Sequence, residues 1–305
     1  MRLKTTLEQW QTLQAIAQEG SIQSAALLLN KSHTTLIYSV RKLEDQLGIQ
    51  LIEVRGRKAD LTEHGKTILR RAQSMLEQAR ELEVISEQLK SGVESQITVA
   101  IDHLCDPCWL YAPLSQFLED NNTTSVQVVE TSLSKTTEMV VNELADIAII
   151  NLPITNYPAE AFGVTTMQPV IAAHHPLAKK PHVSIDDFAT TSQIVIRDLG
   201  DSDKTKRDVG WLRARQRITV DNFDHAFHAV EQGVGFCRLP AHLVAARKSD
   251  KIKVLDLEHS HQYQVALHLT LPKGAKSGPA TQALYRTLLK SVETRSSDSG
   301  IELNR

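Results

Sequence analysis

Along residues 1–90 the apolar positions recur at helical spacing. Leu7, Trp10, Leu13 and Ala17 predict one face of a helix, and Gly20 ends it. Ser21 is a suitable N-cap for a second, short helix with Ile22, Ala25, Ala26 and Leu29 on its apolar side. After a turn at 30–31, Ser32 caps a third helix. There Leu36, Val40, Leu43 and Leu47 repeat by four, three and four before Gly48 stops the run. Residues 51–54 and 59–61 then flank Arg55, Gly56, Arg57 and Lys58, which predicts a β-hairpin with a basic tip. Thr62 caps a long helix on which Ile68, Ala72, Met75, Ala79, Leu82 and Leu89 follow a heptad seam. Ser86 is the single break, with Ile85 beside it. A seam of this length has no expected partner among the preceding short elements, so it predicts pairing with a second copy of the same helix.

From residue 96 the pattern alternates between strand and helix. Residues 97–101, 126–130 and 146–150 read as buried strands, and 107–118 and 134–144 as helices. Asp106 is the expected N-cap of the first of these helices, with Pro107 at its first position. Residues 162–173 predict two short strands joined near Met167, Gln168 and Pro169. Further strands follow at 193–197 and 217–220, then a helix at 223–232 capped by Asp221 or Asn222. Gly233 and Gly235 step into another strand, 262–271 forms one more, and a helix at 281–292 is expected to return to the first half. Residues after Thr294 are polar and expected to fray. This alternation predicts an α/β body of two parallel, doubly wound sheets joined by two crossings. A cleft is expected at the C-terminal strand ends, with helix N-termini pointing in.

Composition narrows the class. A chain of 305 residues, 41% hydrophobic and 23% charged, is ordinary for about two soluble domains. No run reaches the ~18 apolar residues of a membrane span. Three Cys cannot make a disulfide framework, so a reducing cytoplasm is the expected compartment. The net charge of −2 excludes coating of nucleic acid by bulk positive charge. That charge is unevenly spread: residues 1–71 hold eleven Lys or Arg and seven Asp or Glu, a net of +4, which leaves −6 for the rest. A basic head on an acidic body fits a head that alone meets phosphate. At about 100° per residue, the third helix carries Thr34, Tyr38, Arg41 and Lys42 opposite its leucines, with His33 and Ile37 on the flanks. Hydroxyls, an aromatic ring and cations on one face suit a major groove, where some side chains reach base edges and others phosphate. Ser32 and Thr35 begin that helix, and Arg55, Arg57 and Lys58 tip the hairpin. The whole reads as a winged helix-turn-helix for double-stranded DNA.

Four short motifs carry a family resemblance. They are Gly20 with Ser21; Ala25 and Ala26 with Leu29; Leu43 and Glu44 with Leu47, Gly48 and Leu51; and Leu61 and Thr62 with Gly65. In that order and spacing the chain resembles the LysR-type transcriptional regulators over nearly its whole length. The resemblance implies a winged helix-turn-helix at 1–61 and a dimerising linker helix at 62–91. It further implies an effector-binding region at 96–305 resembling a periplasmic solute-binding protein. One lobe would be 96–162 with 268–292, and the other 163–267. It implies a dimer or tetramer on promoter DNA, a small-molecule effector, RNA polymerase as a partner, and neither cofactor nor enzymatic activity. Where the family places Ser in mid recognition helix this chain has Ile37, and the next, often basic, position is Tyr38. The family's Phe-x-Arg becomes Ile52, Glu53 and Val54. Base contacts are therefore expected from Thr34, Thr35, Tyr38 and Arg41 as they stand. Asp102 and His103, after the first body strand, match one effector position of the family, and Thr131 and Ser132 match another. Arg197, Asp198, Asn222 and Phe223 would line the far wall. Hydrogen bonds to Asp102, Thr131 and Asn222 are the expected anchors of a donor-bearing or cationic ligand.

Cys105 and Cys108 form a C-x-x-C between a strand and a helix, the local setting of a dithiol. A thiol-redox-sensing regulator is the alternative this motif supports, beside two small semi-buried residues at a helix start. A thiol oxidoreductase, or a solute-binding protein without DNA activity, would leave the N-terminal residues without a task. Cys237 falls in an expected core strand. The His pairs 174–175 and 259/261 lack partners at metal-ligand spacing, and no nucleophile elbow or phosphate loop occurs.

Overall fold

The structure, a computed structural model, describes residues 3–201, 214–257 and 263–299. The chain divides into two units, Met1–Ser91 and Gly92–Arg305.

The first unit holds α1 (Leu7–Glu19), α2 (Ile22–Leu28), α3 (His33–Leu47), the hairpin β1 (Ile52–Arg55) and β2 (Lys58–Leu61), and α4 (Glu63–Lys90). Thr6, Ser21, Ser32 and Thr62 each accept the backbone N–H three residues on, so every helix starts at a hydroxyl cap. Gly48 takes φ 72°, which lets the chain leave α3 in the left-handed region. Leu13, Ile16, Leu36, Leu43 and Leu51 are fully buried together, and each such side chain contributes roughly 1.5–3 kcal/mol. The first half of α4 joins this core. Leu69, Ala72 and Leu76 are buried there and α4 packs on α1. The expectation of a partnerless seam is thus corrected: α4 has two apolar stripes, and Gly65, Leu69, Ala72 and Leu76 form one that the short helices already cover. Met75, Leu82 and Leu89 on the other stripe stay exposed, Leu82 at 68%. Gly65 is what allows the packing, because a Cβ there would lie 2.1 Å from the Leu51 carbonyl oxygen.

The second unit contains β3 (Gln96–Asp102), α5 (Cys108–Asp120), β4 (Ser125–Thr131), α6 (Ser134–Val141), β5 (Ile147–Ile150) and β6 (Ala159–Ala172). These are followed by β7 (Ser192–Ile196), β8 (Gln216–Val220), α7 (Phe223–Glu231), β9 (Cys237–Pro240), α8 (Ala241–Arg247), β10 (Ile252–Val254), β11 (Tyr263–Thr270) and α9 (Pro279–Ser299). The sheet differs from the expected pair of parallel sheets. Among the described residues seven strands join in one mixed sheet in the order β10-β6-β11-β5-β3-β4, with β9 also on β6, and β7 and β8 form a parallel pair. The cause is β6 and β11. They pair antiparallel from Ala159 with Thr270 to Met167 with Tyr263, with a register shift between Leu267 and His268. Beyond Met167, β6 continues without a break against β9 and β10, so the two short strands expected at 162–173 are one. α9 runs on to Ser299 where fraying was expected. Its Leu284 and Leu288 are buried with Leu110, Leu114 and Phe117 of α5, on which α9 packs.

Candidate nucleic-acid interface and effector cavity

On α3 the division of faces is complete. Leu36, Val40 and Leu43 are buried, while Ser32, His33, Thr34, Thr35, Tyr38, Arg41 and Lys42 are all exposed. The Ser32 hydroxyl accepts Thr35 N–H at 3.1 Å and lies 2.9 and 2.7 Å from the Thr34 and Thr35 hydroxyls, so the start of the helix presents an ordered polar cluster. Tyr38 is 67% exposed, and the Lys42 ammonium sits 5.9 Å from its ring centre. Among the described residues no carboxylate is within ion-pair distance of Arg41, Lys42, Arg57 or Lys58, and Arg55 pairs only with Glu53 at 3.1 Å.

Two contacts that sequence reasoning did not assign set the wing. The Glu44 carboxylate accepts the N–H groups of Leu51 and Ile52 at 2.6 and 3.1 Å, which fixes β1 to the last turns of α3. The Ala59 N–H donates to the Gly20 carbonyl at 2.9 Å, which ties β2 to the turn after α1. Glu44 stands inside the motif that carries the resemblance; its role in holding the wing is visible only once β1 is placed beside it.

In the second unit a cavity of about 620 Å³ opens between β7, the start of β11 and the ends of β3 and β5. His103 and Phe223 line it, their rings edge-on with centres 4.8 Å apart. The other six expected effector residues are placed elsewhere, and their polar atoms are engaged within the protein. Asp102 is fully buried and accepts Leu104 N–H at 3.0 Å. The Thr131 hydroxyl donates to the Ile101 carbonyl and lies 2.8 Å from the Thr136 hydroxyl. Ser132 donates to the Arg197 carbonyl and accepts Leu199 N–H. Asp198 accepts both the N–H and the hydroxyl of Ser134, at 3.1 and 2.8 Å. Arg197 pairs with Asp221, and Asn222 caps α7 by accepting His225 N–H. The residues that sequence reasoning missed are Asn151, Gln193, Arg238, Tyr263 and Gln264, which lie on strand ends and on the crossing strand β11. The pairing of β11 with β6 brings Tyr263 and Gln264 to the cavity.

Burial dominates the electrostatics here. It pushes the Asp102 carboxyl up to about 7, against the pull of the Leu104 and Leu133 N–H groups and the Thr136 hydroxyl. It pushes His103 down to about 4, against the charge of Asp198, so the imidazole is neutral at pH 7. Burial also raises the Cys105 thiol, and the neighbouring Asp106 carboxylate raises that of exposed Cys108. Both shifts oppose the thiolate that dithiol chemistry requires. Cys237 is buried with its pKa raised to about 12 and lines the cavity. Asp106 accepts Cys108 N–H at 2.9 Å, as an N-cap does, although α5 begins one residue after the expected Pro107. His175 accepts Leu177 N–H, and His259 and His261 lie outside the described residues. Among the described residues no group of three His, Cys, Asp or Glu could hold a metal ion, and no helix is long and apolar enough to cross a membrane.

A winged helix-turn-helix in one unit and a ligand-sized cavity in the crossed α/β fold of the other define a ligand-responsive DNA-binding regulator. Residues 7–66 match the family described as bacterial regulatory helix-turn-helix protein, lysR family, and residues 90–293 match the LysR substrate binding domain. The chain belongs to the LysR family: it is a DNA-binding transcriptional regulator with an effector-binding domain. It is 27% identical over 248 residues to the uncharacterized HTH-type transcriptional regulator YeeY of Escherichia coli, covering 79% of each chain. It is 23% identical over 236 residues to the HTH-type transcriptional regulator PunR of Escherichia coli, covering 76% of each. Its fold is similar to that of a full-length OxyR variant from Pseudomonas aeruginosa, with a TM-score of 0.51 and 20% identity, over 94% of this chain and 99% of the other.

Proposed function

We propose that this regulator works in the cytoplasm as a homodimer or homotetramer on promoter DNA. The α3 face reads the major groove through Thr34, Thr35, Tyr38 and Arg41. Ser32, His33, Lys42, Arg55, Arg57 and Lys58 meet the backbone beside it. The exposed Met75, Leu82 and Leu89 of α4 pair with a second copy, so that two recognition helices face two half-sites. A small-molecule effector enters the cavity beside His103 and Phe223 and favours one arrangement of the lobes, which alters how bound DNA is presented to RNA polymerase.

The observation that carries this reading is the α3 face, where an exposed aromatic ring and two cations lie opposite a fully buried leucine stripe. Gel shifts with the DNA upstream of the protein's own gene test it. A discrete complex that weakens steeply with salt is expected. Absence of any complex with duplex DNA at low ionic strength would refute it.

A further inference from the structure

The N-termini of α5, α6 and α7 in the second unit are already occupied. A helix N-terminus attracts anions through its open N–H groups and its dipole. At α5 the Asp106 carboxylate takes Cys108 N–H, and at α7 the Asn222 side chain takes His225 N–H. At α6 the occupant comes from far along the chain. Asp198 is buried and accepts Ser134 N–H and the Ser134 hydroxyl, at the residue that follows cavity-lining Leu133. The contact is reinforced on both sides. Ser132 bonds the Arg197 carbonyl and Leu199 N–H, Glu138 accepts Asp201 N–H, and Lys135 bonds Asp201 at 2.6 Å. An open helix N-terminus favours an acidic group, and here an internal carboxylate holds that position.

The cavity lining has the complementary character. Among the described residues no carboxylate lines it, and Arg238, a lining cation, lies over the Tyr263 ring. Asn151 and Gln193 supply amides, and Phe223 with the imidazole of His103 supplies flat walls. Two lining residues carry buried acceptors without a hydrogen-bond partner, Oδ1 of Asn151 and Nδ1 of His103. The Asn151 oxygen accepts, and Nδ1 of His103 accepts in the neutral tautomer whose proton sits on Nε2, the state in which both atoms take a donor. Buried acceptors of this kind are costly until a donor meets them.

We propose that Asp198 sets the specificity of this cavity by standing in for an acidic ligand group at α6, so that the effector is an uncharged, flat molecule that donates N–H hydrogen bonds to Asn151 and His103. The inference rests on the reading of the cavity as the effector site, and it goes further by excluding carboxylates and assigning the residue that excludes them.

The test uses the full-length protein and matched probes: benzamide against benzoate, and acetamide against acetate. Binding is read by calorimetry and by the shift in melting temperature. The parent should take benzamide in preference to benzoate and gain nothing from acetate. Asp198→Ala should lose thermal stability, recover part of it saturably with acetate but not with acetamide, and shift its preference toward benzoate by about tenfold or more, the scale of a charge-assisted hydrogen bond. Asp198→Asn keeps the shape and an acceptor while removing the charge, and should show a smaller shift in the same direction if the alanine variant fails to fold. A parent that binds benzoate at least as well as benzamide overturns the proposal. So does an Asp198→Ala protein that acetate and acetamide restore equally or not at all, and so does the absence of any probe binding in parent and variants alike. Ala266→Trp, which fills the cavity from β11, separates the two levels. Probe binding that survives it refutes the cavity as the ligand site, whatever the charge preference.

Discussion

The two units use polar side chains in opposite ways. In the first, Thr34, Tyr38, Arg41 and Lys42 point outward from a helix whose other face is closed by leucines. In the second, Asp102, Thr131, Ser132 and Asp198 sit at strand and helix ends but turn inward, where they bond to the protein itself. A surface that must meet a long polyanion stays open and is built from consecutive residues of one helix. A cavity that must shape a small ligand is assembled from remote segments, and the polar residues nearest to it hold those segments together.

This contrast can be broken at several points. The largest effect is expected at Gly65. A side chain there meets the Leu51 backbone, which cannot yield, so Gly65→Val should cost about 3 kcal/mol or more and abolish DNA binding, as thermal melting and gel shifts would report. Ordinary melting with lost DNA binding would instead move Gly65 to the interface.

Asp102 comes next. The folded protein holds its proton up to about pH 7, whereas an exposed Asp releases it near 3.8. Folding therefore takes up a proton between these values. The stability this contributes is full below about pH 4 and is lost as the pH rises through about 7. The amount is about 4 kcal/mol at 1.36 kcal/mol per unit. Asp102→Asn keeps the acceptor for Leu104 N–H and removes the charge, so its melting temperature should fall less than the parent's between pH 5 and pH 8. Parallel curves would mean that Asp102 ionises freely in the fold.

Smaller effects separate the exposed groups. Leu82→Glu should weaken self-association about ten- to a hundredfold, or about 1.4–2.8 kcal/mol, in sedimentation, and leave the melting of the first unit nearly unchanged because Leu82 is mostly exposed. Lys58→Ala should lower affinity similarly on all sequences and reduce the salt slope by about 1, the signature of a single phosphate contact.

The legibility of the sequence follows the same division. The short helices, their caps and the wing were readable because hydroxyl caps, Gly48 and the leucine spacing act over a few residues. The double stripe of α4 was not, since Leu69 and Leu76 acquire meaning only when α1 lies against them. In the body the strand and helix types were readable, but the sheet was not. β6 and β11 tie the sheet together through pairing between residues about a hundred positions apart, such as Thr165 with Val265. That pairing also carries Tyr263 and Gln264 to the cavity, where no local pattern announces them. Asp198 shows the limit most clearly. Its position after a strand suggested a ligand contact, and the structure places it on Ser134, sixty-four residues away in sequence.

The central claim is that the outward face of α3 reads DNA. Fluorescence anisotropy of the parent and of Arg41→Ala and Tyr38→Ala, on the upstream region and on a scrambled duplex across a salt series, tests it most directly. Each substitution should weaken binding to the upstream region by about 1–3 kcal/mol and reduce the preference over the scrambled duplex. Unchanged affinity, preference and salt slope in both variants would contradict it.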